Sequence, residues 1–285
     1  MGDEKMGVIN AMTVDVEDYY QVSAFEKVID RAEWTNRPSR VDQNTLRCLD
    51  LFLEAKVKAT FFVLGIVAEQ YPDLVRKIAD QGHEVASHGY SHVRVMHQNE
   101  EEFLADIDRT KKILEDLSAK EVLGYRAASY SISRETPWAY DALVKAGYRY
   151  SSSVYPINHD LYGDTSLPRL PYPVCSGALT EIPITTMQVL GRNFPVGGGG
   201  YFRLFPYSYS SFGLKRVNKQ SAGVFYFHPW ELDPEQPREL GLPLKTRFRH
   251  YTNLGKMEPK LKKLLSDFEW GRLADLVSLE HHQFL

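Results

Sequence analysis

His88 and His92 stand four residues apart in the run Ser87-His88-Gly89-Tyr90-Ser91-His92, at the exit of a hydrophobic segment of β type. Two imidazoles at that spacing can place nitrogens about 2.0–2.1 Å from one divalent ion, and a catalytic zinc site typically adds one more protein ligand and keeps a position open for water. The missing ligand is then a carboxylate from elsewhere in the chain. Asp15, Glu17 and Asp18 form an acidic cluster at the end of another apolar run, Arg126 follows a third and His228 a fourth. If these runs are neighbouring strands of one parallel sheet, the groups converge on one pocket. Its inventory is that of metal-assisted acyl hydrolysis: ligands, a carboxylate base, a cation to hold it and a separate imidazole acid. No Gly-x-Ser-x-Gly elbow is present, so water and not a side chain would be the nucleophile.

The elements that must position these groups are legible as alternating periodicities. Residues 8–16 read as a first buried strand. Residues 42–55 place Leu46, Leu49, Leu51, Phe52 and Leu53 on a broad helical face, and 59–64 form the next strand. Pro72 opens a helix through Ile78 that Gly82 closes, and a strand over 83–87 then delivers the histidine pair. Asn99 with Glu102 makes a capping box for a helix reaching Leu117. Strand-like runs at 121–125 and 148–154 enclose a helix that starts at Thr136-Pro137 and ends at Gly147. This βα rhythm predicts a barrel or an open parallel sheet, with chemistry at the C-terminal strand ends. Residues 155–177, with Pro156, Pro168, Pro171 and Pro173, read as a long ordered loop over a sheet edge or cleft. A strand over 180–190, a helix over 208–219 and a strand over 222–227 follow. The glycine run 197–200 lacks the Lys-Ser/Thr of a phosphate loop and reads as backbone lining a cleft.

With 285 residues, 43% of them apolar and 25% charged, the chain can bury a large core as one big α/β domain or two smaller ones. A formal net charge of −3 with scattered Lys and Arg leaves no footprint for nucleic acid. The longest apolar stretch, 59–68, is too short for a membrane span, and the first residues lack a basic-then-apolar export signal, so a cytoplasmic location is expected. Cys48 and Cys175 cannot build a disulfide framework and suit a reducing compartment. Residues 278–285 begin like a vector-derived Leu-Glu-His tail, and His281 and His282 are set aside from the site.

Five motifs in order resemble the polysaccharide deacetylases with NodB-type homology, family 4 of the carbohydrate esterases. They are residues 13–18, 87–92, 126–130, 147–153 and 225–230, and the resemblance spans about 8–235. Stretches 15–20, 151–160 and 227–237 look like the bacterial branch encoded near exosortase and exopolysaccharide genes. The resemblance implies a distorted (β/α)7 barrel, here one domain over 1–277 with a peripheral helical extension at 236–277. It implies Asp15 as catalytic base, His88 and His92 as metal imidazoles, Arg126 as the group that orients the base and His228 as general acid. The expected activity is metal-dependent removal of N-acetyl groups from a polysaccharide or its precursor. Zinc is the expected ion, with cobalt, nickel or iron also compatible with the ligand types.

Two departures from that pattern stand out. Val16 occupies the place where the family carries its metal carboxylate, so the role falls to Glu17 or Asp18. Alternation along a strand puts Glu17 on the side of Asp15, which favours Glu17. The fourth motif carries Ser151, Ser152 and Ser153 instead of an aspartate that pairs with the acid histidine, so Glu231 or Asp233 takes over, or His228 is a poorer acid. A backbone N–H near Ser129 and Tyr130 is a candidate for holding the oxyanion. Tyr130, Tyr201, Phe202 and Trp230 lie beside the motifs and are candidates for stacking on sugar rings. Two alternatives stand beside the deacetylase: an amidohydrolase acting on small cyclic amides or ureides, and a silent carbohydrate-binding protein.

Overall fold

The computed structural model describes residues 7–160 and 162–281, with side chains to residue 277. In chain order the elements are β1 (Ile9–Val16), α1 (Val41–Ala55), β2 (Thr60–Val63), α2 (Gly65–Gln70), α3 (Pro72–Asp80), β3 (Glu84–Ser87), α4 (Glu100–Ser118), β4 (Gly124–Tyr125), α5 (Trp138–Lys145) and β5 (Tyr150–Ser151). They continue with β6 (Tyr172–Val174), β7 (Leu179–Glu181), β8 (Thr186–Val189), β9 (Arg192–Pro195), α6 (Gly199–Leu204), α7 (Tyr207–Val217), β10 (Val224–Phe227), α8 (Leu244–Tyr251), α9 (Met257–Asp267), β11 (Glu269–Gly271) and α10 (Leu273–His281). The tail expected at 278–285 overlaps the end of α10, and residues 282–285 lie outside the described residues.

The main sheet runs β10-β1-β2-β3-β4-β5-β7-β6, with β11 also on β1. All its pairs are parallel except β6 with β7. It curls into a distorted barrel. At the open side Thr185 donates its N–H to Val224 O, and Gly198 bridges Tyr226, so loop backbone covers the outer edge of β10. Because buried parallel strands are apolar on both faces, alternation is hidden in the sequence but plain in space. Met12, Val14, Val16 and Phe61 pack outward with the helices; Ala11, Phe62, Ala86 and Tyr226 point into the barrel with Tyr130, Tyr150 and Tyr155.

Register brings the strand ends together. Val16 is paired with Val63, Val63 with Ser87, Ser87 with Tyr125, and Tyr125 with Ser151. The residues immediately after these, Glu17, His88, Arg126 and Ser152, are therefore set on one rim. On the other side of β1, Val14 is paired with Phe227, which puts His228 next to Asp15.

The expected capping box forms: Asn99 accepts the N–H of Glu102, whose carboxylate accepts that of Asn99. Other boundaries shift. The strand expected at 180–190 breaks into β7 and β8 around Pro183, which cannot donate to a ladder. The extension at 236–277 is not merely peripheral: β11 pairs with β1, and α8 walls the cavity described next. Among the described residues no helix is long and apolar enough to cross a membrane.

Candidate active site

Glu17, His88 and His92 lie at the C-terminal rim of the barrel, each buried and each offering a ligand atom within 4.8 Å of the others. His88 is aimed by a contact of its Nδ1 with the carbonyl of Arg126 (2.8 Å). With the proton on Nδ1, its other nitrogen is available as a ligand, the usual way a backbone carbonyl orients a metal histidine. His92 Nε2 and Glu17 Oε2 are 3.0 Å apart, yet among the described residues Glu17 Oε2 has no partner in hydrogen-bond geometry. An acceptor left unpaired in a buried site is costly, and a cation would satisfy it. The donor set, two imidazoles and a carboxylate, fits a divalent ion of the zinc type.

Protonation favours the same use. Burial pushes the Glu17 carboxyl up, but the charges of His92 and His228 outweigh it and hold it at about 2. Burial drives His88 down to about 4 against the pull of Asp15. Glu17 is thus ionised and His88 neutral at neutral pH, the forms a metal requires.

Asp18, the alternative carboxylate, is turned away from this cluster. Its Oδ2 accepts from the N–H groups of Arg40 and Val41 and from Ser39 Oγ, so it holds the start of α1. Glu17 alone of the two stands with the histidines.

Asp15 is 2% exposed, and its Oδ1 accepts from Arg126 Nη1 at 2.6 Å. Arg126 is fully buried and donates also to Thr13 Oγ1 (2.8 Å), Ser152 O (3.1 Å) and Ser152 Oγ (2.9 Å). Ser153 Oγ accepts the N–H of Ala127. The serines of the fourth motif therefore anchor Arg126 and its segment, and none of them serves His228.

His228 Nε2 faces the carboxylates, 3.5 Å from Glu17 Oε1 and 4.0 Å from Asp15 Oδ2. Its Nδ1 meets Glu231 Oε1 at 2.9 Å, and that oxygen also accepts the His228 N–H at 3.1 Å. Glu231 Oε2 in turn accepts from Arg203 Nε at 2.5 Å. Burial pushes His228 down, but Glu17 and Glu231 overcome it and raise it to about 9, so the imidazole is charged near neutral pH. Asp233, weighed as a partner for His228, instead pairs with Arg40. The spacing of Glu231, three residues after His228 as in a capping box, is the sequence signal that singles it out. Arg203 lies in none of the five motifs. It reaches the site because Gly198, at φ 117°, lays the chain against β10 where a Cβ would meet Tyr226 O at 1.9 Å.

A cavity of about 450 Å³ opens over these groups, lined also by Tyr201, Leu204, Lys245, Phe248 and Arg249. Tyr130 and Tyr201 line it, and Tyr130 Oη lies 3.4 Å from Asp15 Oδ2. Trp230 does not offer the sugar platform expected of it. One face is stacked on His228 (5.1 Å) and the other on His250 (4.2 Å), while its indole N–H points to Glu17 Oε1 (3.3 Å). Phe202 is buried against Phe225. Ser129 and Tyr130 both adopt positive φ, at 51° and 49°. The Tyr130 N–H donates to Ala127 O, so it is not free for an oxyanion.

A curled parallel sheet thus gathers buried carboxylates, imidazoles and an arginine at one rim, under one cavity, a set of groups suited to hydrolysis. Residues 34–151 match the family model described as polysaccharide deacetylase, and residues 152–278 match one described as a domain of unknown function (DUF3473). Over residues 34–151 the chain is thus similar to polysaccharide deacetylases. A peptidoglycan-N-acetylglucosamine deacetylase of Bacillus cereus is 42% identical over 74 residues, 26% of this chain and 27% of that protein. A peptidoglycan deacetylase of Helicobacter pylori is 32% identical over 111 residues, 38% of this chain and 36% of that one. The chain thus matches about a quarter to a third of the length of these curated relatives. A solved structure from Mycobacterium smegmatis, described as a candidate polysaccharide deacetylase, superposes with a TM-score of 0.66 at 19% identity, over 100% of this chain and 94% of that one. That likeness speaks for the fold.

Proposed function

We propose that this protein is a metal-dependent hydrolase that removes N-acetyl groups from an N-acetylated glycan. The observation that carries the reading is the clustering of Glu17, His88 and His92 beside Asp15 and His228 under one cavity. Glu17, His88 and His92 would hold the ion, which when bound polarises the acetyl carbonyl and makes water acidic enough to attack near neutral pH. Asp15, oriented by Arg126, takes the proton of the attacking water. The water oxygen bonds to the acetyl carbon, the C–N bond breaks, and His228 gives its proton to the leaving nitrogen. Acetate and an amino sugar result. With the Tyr130 N–H taken up by Ala127 O, the Ser129 N–H beside it is assigned to the oxyanion. Tyr130 and Tyr201 are the aromatic faces assigned to the sugar.

The resemblance to the exosortase-associated branch supports an exopolysaccharide or its precursor as the glycan, and the three-ligand set supports zinc. The test is metal content by elemental analysis of tag-free wild type and His88→Ala, with acetate release from chito-oligosaccharides by the same samples. About one ion per chain, lost in the variant together with acetate release, is expected. Turnover of cyclic amides without acetate would replace this reading with the amidohydrolase one, and sugar binding without hydrolysis at any added metal would replace it with the silent binder.

A further inference from the structure

We propose that Arg203 is a positioning residue for the acid His228, acting through Glu231, and that the Arg203–Glu231 pair takes the place of the aspartate absent from residues 151–153. The inference rests on the N-deacetylase reading above and adds to it a residue outside the five motifs.

The geometry is a closed chain of contacts. His228 Nδ1 meets Glu231 Oε1 at 2.9 Å, and Glu231 Oε2 meets Arg203 Nε at 2.5 Å. Glu231 is fully buried and Arg203 is 2% exposed. Each carboxylate oxygen has a different task, so rotating Glu231 would break both contacts at once. Arg203 itself cannot swing: Nη1 donates to His250 O (2.9 Å) and Thr252 O (2.7 Å), and Nη2 to Arg249 O (3.0 Å). A planar fork held at all its edges fixes a carboxylate in a way that a flexible ammonium does not. The serines at 151–153 could not substitute, since Ser152 and Ser153 are committed to Arg126 and Ala127. The segment 152–278 therefore supplies the acid, its carboxylate and the cation that holds the carboxylate. Residues 34–151 supply both metal histidines and Arg126.

A structural role for Arg203, holding the end of α8, is the competing account, and substrates with different leaving groups separate the two. Amide cleavage needs a proton on the departing nitrogen, whereas 4-nitrophenyl acetate releases a phenolate that needs none. The metal-loaded full chain is compared with Arg203→Lys, Arg203→Gln, Glu231→Gln and the double variant Arg203→Lys/Glu231→Gln, all checked for folding by circular dichroism. The expected result is a loss of about 10- to 100-fold in kcat on N-acetylated chito-oligosaccharide with KM nearly unchanged, while aryl acetate hydrolysis falls less than about threefold. The double variant is expected to be no worse than Glu231→Gln alone, because the two residues act in series. If Arg203→Gln does not fold, Arg203→Lys keeps the charge without the fork and must give the same split. Equal losses on both substrates, losses that multiply in the double variant, or no loss on the glycan would overturn the inference while leaving the N-deacetylase reading in place. A wild type inactive on both substrates overturns that reading and the inference with it.

Discussion

At the scale of single residues, the proposed roles separate groups that would hold an ion from groups that would move protons, and substitutions should separate them too. His88→Ala and His92→Ala each remove a ligand from a three-membered set, so elemental analysis is expected to find little bound metal in either variant. Asp15→Asn keeps size and leaves Glu17, His88 and His92 in place. It should retain the ion while kcat falls by roughly 10²–10⁴-fold, the usual contribution of a positioned base. Full metal occupancy in His92→Ala would contradict the assignment. Glu181 provides a pH signature away from the Glu17, His88 and His92 cluster. Burial raises its carboxyl from 4.5 to about 7, despite the N–H groups of Ser153 and Val154 that it accepts. Between those two values the unfolded chain has released a proton that the folded chain still binds. Stability therefore falls as pH rises through this window, by on the order of 3 kcal/mol in all. Unfolding midpoints between pH 4.5 and 7.5 should show that slope in the wild type and a shallower one in Glu181→Gln, where Asp106, raised by burial to about 6, still contributes in the same direction.

At the scale of elements, caps and turns differ in what they hold up. The Asn99 box closes the exposed start of α4, so Asn99→Ala should cost about 1 kcal/mol in denaturant unfolding and leave kcat unchanged. Gly198 is different, because a methyl group there would sit 1.9 Å from Tyr226 O in a backbone conformation that L side chains rarely adopt. Gly198→Ala should cost roughly 2 kcal/mol or more. It should also lower kcat by displacing α6 and with it Arg203. The glycine run is thus a packing device that delivers a cation, which its composition alone does not disclose.

At the scale of the whole molecule, the two matched segments interlock in one sheet. β1 is flanked by β10 on one side and on the other by β11 at its start and β2 at its end, and β5 pairs with β7. A fragment ending at residue 151 would leave the edges of β1 and β5 unpaired and half the site missing. It is expected to be unfolded by circular dichroism, and cooperative melting of that fragment would refute the interlock. What the sequence by itself determined is local: a histidine pair after a strand, acids after another, a capping box, and motifs whose order implied the barrel and the rim that carries Asp15, His88, Arg126 and His228. Period-two alternation even favoured Glu17 over Asp18, since side-chain direction along a strand is a local property. Tertiary structure decided the rest, because partners depend on approach in space. Only packing revealed that Asp18 is spent on the start of α1, that Trp230 is sandwiched between His228 and His250, and that Asp233 belongs to Arg40. It also brought Arg203, 28 residues from Glu231 in the chain, into contact with it, a meeting that no periodicity encodes because the glycine turn and β10 create it together.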